Sequence, residues 1–463
     1  MPGGEVDGVR DEYPLFARDA YPLLRHDRPD ALFARRLGQP MSVRRFLSDV
    51  AALSAALPCH GHVVNLCADR YRFAVGLAAA LSRRQVTLLP PNDTPGTLKE
   101  LAEDFVDLYC LSDNGPPPLS LPCMAYPEEL GEMPASAAPL VPAAQRAVLL
   151  FTSGSTGRPK PQAKSWGTLV RSALAAGNDL GVGALHGATV IGTVPHQHSY
   201  GLESTVLLAL QHGLAIHAER PFYPSDIRAA LAAASRPRLL VSTPIHLRAL
   251  LAEAVDPPAA DLVISATAPL SRALAVEAEA RFGAPLREIY GCSEAGQLAL
   301  RETARETAWR CLEGVALRQD ERGTWATGAP VETATLLQDV IELSGPRRFL
   351  LHGRTSDLVN IAGKRTSLAH LNHQLTAIEG VRDGLFVMPE ESGERVTRLV
   401  AFVVAPGMTV AAILRALRRR VDAAFLPRPL MLVDALPRNF MGKLSREALL
   451  QLALRNGSAS RPK

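Results

Sequence analysis

The sequence predicts an α/β protein with a large N-terminal domain and a smaller α+β C-terminal domain, and three observations lead to this fold class. The chain has 463 residues, which is too many for one compact core. Short apolar runs alternate with segments whose apolar residues recur at helical spacing, a pattern typical of βαβ units with parallel strands. The alternation changes character at the run RRFLLHGR. We therefore predict one domain over 1–353 and a second over 354–463.

Each predicted element follows from its own pattern, taken in chain order. Helical spacing of apolar residues predicts helices at 42–57, 70–84, 94–105 and 409–425. Short apolar runs predict strands at 62–67, 85–91, 106–111, 147–153, 188–194, 238–244, 261–267, 384–389 and 398–404. The segment 114–145, which contains the run PPP, is predicted to be a surface loop.

Composition argues against several classes of protein. A net charge of +4 over the whole chain is too weak to indicate a nucleic-acid-binding surface. The six cysteines are scattered without paired spacing, which predicts reduced thiols, no zinc site, no disulfide framework and a cytoplasmic location. The N-terminus lacks a signal-peptide pattern, and no uncharged apolar run approaches the ~20 residues of a membrane span.

The stretch LLFTSGSTGRPKP has the composition of a phosphate-binding loop. Gly154 and Gly157 permit close backbone approach, the hydroxyl residues between them add donors, and Lys160 adds a cation. The spacing does not match a Walker A loop, because prolines flank the lysine and exclude the helix that such a loop must open. We therefore predict a phosphate loop that is not fixed on a helix; the alternative is a Gly/Ser surface loop.

A second candidate site lies in the run IYGCSEAGQ. The spacing does not fit the G-x-S-x-G elbow of serine hydrolases, because the glycines are one residue too far apart and Glu294 follows the serine. Glu294 beside Ser293 suits a Mg²⁺ ion that bridges phosphates. Tyr290 offers a flat face to a nucleotide base. The alternative is an ordinary turn after a strand.

Three further runs place polar residues next to glycine. In VPHQHSYGL, His196 and His198 alternate as on one strand face but lack a third metal ligand, so the functional hypothesis is a pocket wall and the alternative a structural histidine. Arg354 at the domain junction suggests a hinge beside a ligand, with a solvated linker as the alternative. Lys443 follows Gly442 in LPRNFMGKLSREAL, and a single lysine at such a turn is ordinarily solvated surface.

Taken together, these motifs resemble the adenylate-forming superfamily, which includes acyl- and aryl-CoA synthetases, peptide synthetase adenylation domains and beetle luciferases. The resemblance runs from about 148 to 450. It implies a large N-terminal domain of mixed β-sheets flanked by helices and a small, mobile C-terminal lid domain. The residues that carry it are TSGSTGRPK, SATAPLS, YGCSE, the Asp339 of LLQDV, GRTSDLVNIAGKR and LPRNFMGKLSREAL.

The resemblance implies a ligase with two half-reactions. A carboxylic acid attacks the α-phosphate of Mg·ATP to give acyl-AMP and pyrophosphate, and a thiol of CoA or of acyl carrier protein phosphopantetheine then takes the acyl group. The chain also resembles compact synthetases that load an aryl acid such as 4-hydroxybenzoate onto a carrier protein in pigment biosynthesis. The alternatives are a fatty acyl-CoA synthetase, a non-catalytic homologue that binds nucleotide or acyl ligand, and a luciferase-like monooxygenase.

The family's residue roles transfer to the matching positions of this chain. The implied catalytic residues are Lys443, Glu294, Ser293 and Lys160, and Glu294 is also the implied Mg²⁺ ligand. The implied acyl- and thiol-binding residues are His198, Tyr200, Gly201 and Gly363. The implied nucleotide-binding residues are Thr152, Ser153, Gly154, Ser155, Thr156, Gly157, Ala268, Pro269, Tyr290, Gly291, Asp339 and Arg354.

The chain departs from the family pattern at Ser356, Gln338 and Asn360, and SLAHLNHQL lacks the glutamate common after the hinge glycine. None of these changes removes a charge that adenylation needs, but they bear on the rotation of the C-terminal domain and on CoA use. An arginine-rich run is a candidate docking surface for an acidic carrier protein or for CoA phosphates, with a solvated helix face as the alternative. Its arginines are Arg415, Arg418, Arg419 and Arg420.

Overall fold

The computed structural model describes residues 18–115, 121–134, 137–152, 160–354, 358–361, 364–388 and 399–438. Some predicted site residues lie outside this part, and for Thr152 and Arg354 only the backbone is described. The residues outside it are Ser153, Gly154, Ser155, Thr156, Gly157, Gly363 and Lys443.

The strands of the described chain are numbered here in chain order. Those of the first half are β1 Ala20–Pro22, β2 Leu32–Arg36, β3 Gln39–Ser42, β4 His62–Asn65, β5 Val86–Leu89, β6 Leu108–Ser112, β7 Cys123–Ala125, β8 Leu140–Pro142, β9 Arg146–Thr152, β10 Lys160–Ser165, β11 Thr189–Gly192, β12 Ala215–His217 and β13 Arg238–Ser242. Those of the second half are β14 Leu262–Ser265, β15 Leu286–Cys292, β16 Gly296–Arg301, β17 Trp309–Cys311, β18 Val315–Asp320, β19 Gly323–Gly328, β20 Thr335–Leu336, β21 Asp339–Gly345, β22 Arg348–Arg354, β23 Leu358–Ile361, β24 Lys364–Ser367, β25 Asp383–Val387, β26 Val400–Val404 and β27 Leu430–Leu432.

The helices are numbered in the same way, and one of them is composite. Helix α5 consists of an α-turn Ser199–Gly201, a π-helical segment Leu202–Leu207 and an α-helical end Leu208–His212. Short 3₁₀ turns occur at Val182–Ala184 and Ala423–Phe425. The other helices are α1 Val43–Ala56, α2 Arg70–Ser82, α3 Pro95–Asp104, α4 Trp166–Leu180, α6 Pro224–Ala233, α7 Pro244–Leu251, α8 Arg272–Phe282, α9 Leu368–Thr376 and α10 Val410–Leu417.

Two mixed sheets, as predicted, make up most of the chain before Arg354. The first has the order β10-β9-β5-β4-β6-β7, with parallel pairing except between β9 and β10. The second has the order β21-β22-β17-β16-β15-β14-β13-β11-β12-β2-β3. Its strands from β2 to β15 are parallel, whereas those from β16 to β21 and the edge strand β3 are antiparallel. The α/β fold class is therefore confirmed.

Arg70, the first residue of α2, joins α2 to the ends of two strands of the large sheet. Its guanidinium is fully buried and donates to the carbonyl oxygens of His217 at 2.7 Å, Glu219 at 3.1 Å, Gly192 at 3.0 Å and Val194 at 3.2 Å. Burial lowers its pKa to about 10. A guanidinium can serve such divergent acceptors because its five N–H groups form a fixed planar fork.

The chain after residue 358 has an apolar cluster of its own. Its strands form the pairs β23-β24 and the sheet β25-β26-β27, and α9 and α10 pack on them. Helix α10 is shorter than predicted, because the Asp422 side chain accepts a hydrogen bond from Ala424 N–H and caps a separate turn. The domain boundary near 353 stays a prediction. In the described part of the chain no helix is long and apolar enough to cross a membrane.

Two predictions about the segment before β9 are wrong. The predicted loop 114–145 contains strands β7 and β8. Cys110 and Cys123, predicted to be reduced, form a disulfide, with Cα atoms 4.5 Å apart. They lie opposite each other on the adjacent strands β6 and β7. This pairing is invisible in the sequence because only strand register brings the two positions together; the four other cysteines are free thiols.

Candidate active site

Most of the predicted site residues in the described chain lie at or after the carboxyl ends of the parallel strands β11, β14 and β15, whereas Lys160 begins β10 and Asp339 begins β21. Strand register places Gly192 opposite Val241, and it places Ser242, Ser265 and Glu288 side by side on neighbouring strands. In open α/β sheets, ligands bind in the crevice outside this edge.

Tyr290 and Asp339 are in direct contact. The Tyr290 hydroxyl donates to Oδ2 of Asp339 at 2.7 Å. The Tyr290 ring is held by Trp309 and Phe349, whose ring centroids each lie 5.6 Å from its own. Asp339 begins β21 and lies opposite Arg354 in the register of β21 and β22. Pairing in the sheet thus brings together the positions predicted to bind adenine and ribose.

Ser293 and Glu294 occupy the turn between β15 and β16, and both are half-buried. The register of these strands shifts at Gly291, where an added Cβ would lie 2.3 Å from the carbonyl oxygen of Gly296. Position 291 therefore requires glycine if the turn is to keep its shape. The intervening Cys292 is not an activated nucleophile, because burial raises the pKa of its thiol to about 12.

Glu294 is the residue predicted to hold Mg²⁺ through its carboxylate. Mg²⁺ in nucleotide enzymes is commonly bound through one or two carboxylates together with substrate phosphates. A single half-buried carboxylate on a turn fits such a shared site. Within the described residues there is no cluster of three or more His, Cys, Asp or Glu side chains that could hold a metal by itself.

Lys160 was predicted to belong to the phosphate loop. In the structure it is instead the first residue of β10. It pairs with Thr152 across the antiparallel hairpin β9–β10, and its side chain is exposed. Residues 153–159 connect the two strands and lie outside the described residues. The prediction that no helix opens after this stretch is confirmed, because the chain continues as a strand.

His196 and His198 lie in the turn before α5, so the prediction of a shared strand face is wrong. His196 is buried and its Nε2 lies 2.9 Å from the carbonyl oxygen of Cys67, which fits the alternative of a structural histidine. His198 is half-buried and precedes the first residue of α5. At Gly201 an added Cβ would lie 2.0 Å from the carbonyl oxygen of Pro195, so this turn requires glycine.

Tyr200 lies across the ends of two central strands. Its hydroxyl donates to the carbonyl oxygens of Ser242 at 3.0 Å and Ile264 at 3.2 Å, and burial raises its pKa well above the ordinary value. The Tyr200 hydroxyl therefore lies at the carboxyl ends of β13 and β14.

Ala268 and Pro269 follow β14 on a loop at the same edge. The residue before them, Thr267, has a φ of +79°, a left-handed conformation that is strained for a β-branched residue. Leu270 N–H donates to Glu288 at 3.2 Å and so ties the loop to β15. The loop that carries Ala268 and Pro269 is therefore tied to β15 and has a constrained backbone.

Several buried polar residues around the site were missed by the sequence analysis. Lys164 and Glu203 are 2% and 3% exposed; Lys164 contacts the carbonyl group of Glu294 in the turn, and Glu203 contacts the backbone of Gln297 on β16. Thr193 Oγ1 lies 3.0 Å from Ser242 Oγ and 2.8 Å from His246 Nδ1. The sequence signal for Glu203 was a charged residue inside an apolar run, which by itself does not show where the side chain is buried, whereas Lys164 lies in the largely polar run KPQAKS and gave no such signal.

His246 makes the stability of the protein dependent on pH. Burial, followed by the charge of Arg220, lowers its pKa to about 4, whereas the unfolded chain has a value near 6.5. Below pH 6.5 the unfolded chain therefore binds a proton that the native protein does not, so stability falls as the pH falls from 6.5 to 4. The expected loss through this residue is about 2 kcal/mol at pH 4.5.

Urea unfolding at pH 7 and pH 4.5 measures this effect. The His246→Gln variant, which cannot take up the proton, should lose about 2 kcal/mol less than the parent between the two pH values. His186→Gln, a change at an exposed histidine, should behave like the parent. Equal pH dependence of the His246→Gln variant and the parent would contradict the assignment.

Comparisons with known proteins identify the family of the chain. A family model described as AMP-binding enzyme matches residues 30–331. A 4-coumarate–CoA ligase of Rhodobacter capsulatus is 33% identical over 272 residues, which cover 59% of this chain and 67% of that protein. A 4-coumarate–CoA ligase of Halorhodospira halophila is 31% identical over 332 residues, which cover 63% and 73%.

A solved structure shares the whole fold. The ATP-bound MatB of Rhodopseudomonas palustris superposes with a TM-score of 0.78 at 20% identity, over 95% of this chain and 98% of MatB. Fold, motifs and relatives together define the class of protein, an AMP-forming acid–thiol ligase. The chain belongs to the AMP-binding enzyme family.

Proposed function

We propose that this ligase activates an aromatic or short-chain carboxylic acid as its acyl-adenylate, with release of pyrophosphate, and then transfers the acyl group to a thiol. The observation that carries the proposal is the hydrogen bond between Tyr290 and Asp339 next to the Ser293–Glu294 turn. It supports a single nucleotide site. The residue proposed to bind adenine lies on β15, the residue proposed to bind ribose begins β21, and the turn proposed to bind phosphate and Mg²⁺ follows β15.

The first half-reaction needs little acid–base chemistry, because the carboxylate is already an anion. The site must neutralise charge and align the carboxylate with the α-phosphate. Ser293 is proposed to hold the α-phosphate, and Lys160 with the residues 153–157 to hold the β- and γ-phosphates. Glu294 is proposed to hold Mg²⁺, which would supply charge neutralisation between the phosphates when bound. Lys443 is proposed to contact both reacting groups.

The position of Tyr200 favours a small acid over a fatty acid. Its hydroxyl group lies at the ends of β13 and β14, where its one hydrogen is shared between the carbonyl oxygens of Ser242 and Ile264. A long acyl chain would have to displace a side chain held in this way. Both relatives described above are named for a 4-hydroxylated aromatic acid. An aryl acid of the 4-hydroxybenzoate type therefore fits the proposal, and a fatty acyl substrate is the alternative.

The thiol acceptor is CoA or the phosphopantetheine of an acyl carrier protein. At the end of α10, Arg415, Arg418, Arg419 and Arg420 are all exposed. An exposed basic surface attracts acidic carrier proteins and nucleotide phosphates alike. Loading of a carrier protein in pigment or polyketide biosynthesis is the narrower form of the proposal.

A pyrophosphate-release screen over aryl, short-chain and long-chain acids tests the proposal, with CoA and holo-carrier protein as competing acceptors. We expect release that depends on an aryl or short-chain acid and formation of one thioester product. Release with long-chain acids alone would favour the fatty acyl alternative. Absence of release with every acid would favour a homologue that binds ligand without turnover.

A further inference from the structure

The turn that carries Ser293 and Glu294 is held from both sides by buried charged residues outside the predicted site. On one side, the ammonium of Lys164 on β10 donates to the carbonyl oxygen of Glu294 at 2.5 Å. On the other side, the Glu203 carboxylate accepts from the backbone N–H of Gln297 at 3.2 Å. Both side chains are almost completely buried.

Glu203 also joins this turn to the segment that carries His198. Its carboxylate accepts from Ser199 Oγ at 2.6 Å and from Ser172 Oγ at 3.0 Å. Glu203 lies in the π-helical segment of α5, an irregularity that occurs mostly at functional sites. Three parts of the candidate site, namely β10 after the phosphate loop, the His198 turn and the Ser293–Glu294 turn, therefore meet at two buried charges.

A buried ammonium is costly unless opposite charges and acceptors surround it. Burial lowers the pKa of Lys164, while the carboxylates of Glu203, Glu332 and Glu294 oppose the shift. A Lys164 side chain needed only for packing could be replaced by an apolar one at lower cost. Its single hydrogen bond in the described structure instead ends on the backbone of the residue predicted to hold Mg²⁺.

We propose that Lys164 is a positioning residue that, opposed by Glu203, fixes the backbone of the Ser293–Glu294 turn so that the Glu294 carboxylate faces nucleotide-bound Mg²⁺. This inference rests on the proposed function for the role of Glu294. Lys164 acts through the carbonyl group of Glu294 and touches neither substrate nor metal. Outer-shell residues that orient a metal ligand change metal affinity by about 10–100-fold when they are replaced.

The test titrates Mg²⁺ into the full-length protein in the presence of ATP and in the absence of any carboxylic acid. ATP binding is monitored by the thermal shift of the protein. Lys164→Met keeps the side-chain length and removes the donor. We expect its Mg²⁺ midpoint to rise about tenfold or more, while the affinity for ATP in EDTA stays within about twofold of the parent. Lys99→Met, a change at an exposed lysine of α3, should leave both quantities unchanged.

A folded Lys164→Met protein whose Mg²⁺ midpoint stays within about twofold of the parent would overturn the inference. If Lys164→Met does not fold, Glu203→Gln decides, because it keeps the shape and removes the charge that faces Lys164. A raised Mg²⁺ midpoint in Glu203→Gln would support the inference, and an unchanged one would overturn it.

The readout separates this inference from the proposed function. Mg²⁺-dependent ATP binding is measured in the absence of an acid, whereas the proposed function is judged by acid-dependent pyrophosphate release. A parent protein that binds Mg·ATP but activates no acid would contradict only the proposed function. A parent protein that activates an acid, together with an unaffected Lys164→Met variant, would contradict only the positioning role.

Discussion

Replacing Lys443 by alanine is expected to lower acid-dependent pyrophosphate exchange by roughly 10²–10³-fold, the effect of removing one preorganised group that stabilises charge in a transition state. Lys443 lies outside the described residues, and the expectation rests on its place in the motif LPRNFMGKLSREAL. In the first half-reaction, negative charge develops between the carboxylate and the α-phosphate. A lysine that bridges these groups stabilises the transition state more than the bound substrates.

The second half-reaction gives this prediction its control. If the domain 354–463 rotates after adenylation and removes Lys443 from the site, thioester formation from a supplied acyl-adenylate should remain close to the parent rate in Lys443→Ala. Lys99→Ala, at an exposed position of α3, should retain both half-reactions. Full adenylation activity in Lys443→Ala would refute the role given to this residue.

Replacing Arg70 by methionine is expected to reduce the free energy of unfolding by on the order of 3–5 kcal/mol. The substitution leaves the buried carbonyl groups of Gly192, Val194, His217 and Glu219 without the donor that serves them. Each unsatisfied buried acceptor costs about 1–3 kcal/mol, reduced where water or a shift of the chain can replace the donor.

Urea unfolding at neutral pH, with Arg44→Met as the control, measures the effect of Arg70. Arg44 is exposed on α1, so its replacement should change stability by less than about 0.5 kcal/mol. Arg70→Lys should be intermediate, because an ammonium has three donors and lacks the planar fork. Stability of Arg70→Met within about 1 kcal/mol of the parent would show that these four hydrogen bonds are not needed.

Four of the ten helices and nine of the 27 strands in the described chain were predicted from the sequence. The helices α1, α2 and α3 lie where helical spacing of apolar residues placed them, and β4, β5, β6 and β9 lie where short apolar runs placed them. These elements are strongly periodic and buried, so local pattern and burial agree. The strands from β16 to β22 were not predicted, because each contains at most three consecutive apolar residues.

The candidate nucleotide residues could be proposed from motifs, but their arrangement could not. Tyr290 and Asp339 are 49 residues apart and meet only because β15, β16, β17, β22 and β21 lie side by side in one sheet. Sequence spacing carries no information about this order. The buried network of Lys164 and Glu203 was missed for the same reason, since burial of a charged side chain is decided by packing.

By itself, the sequence determined the α/β fold class, the positions of the main periodic elements and the chemistry offered by each motif. These properties depend on neighbours along the chain, on turn-forming glycines and on residue type. The tertiary structure alone decided that Cys110 meets Cys123, that Arg70 supports two strand ends and that Lys164 and Glu203 hold the Ser293–Glu294 turn. Each of these contacts joins residues that strand order and packing, rather than chain neighbourhood, bring within hydrogen-bonding or covalent distance.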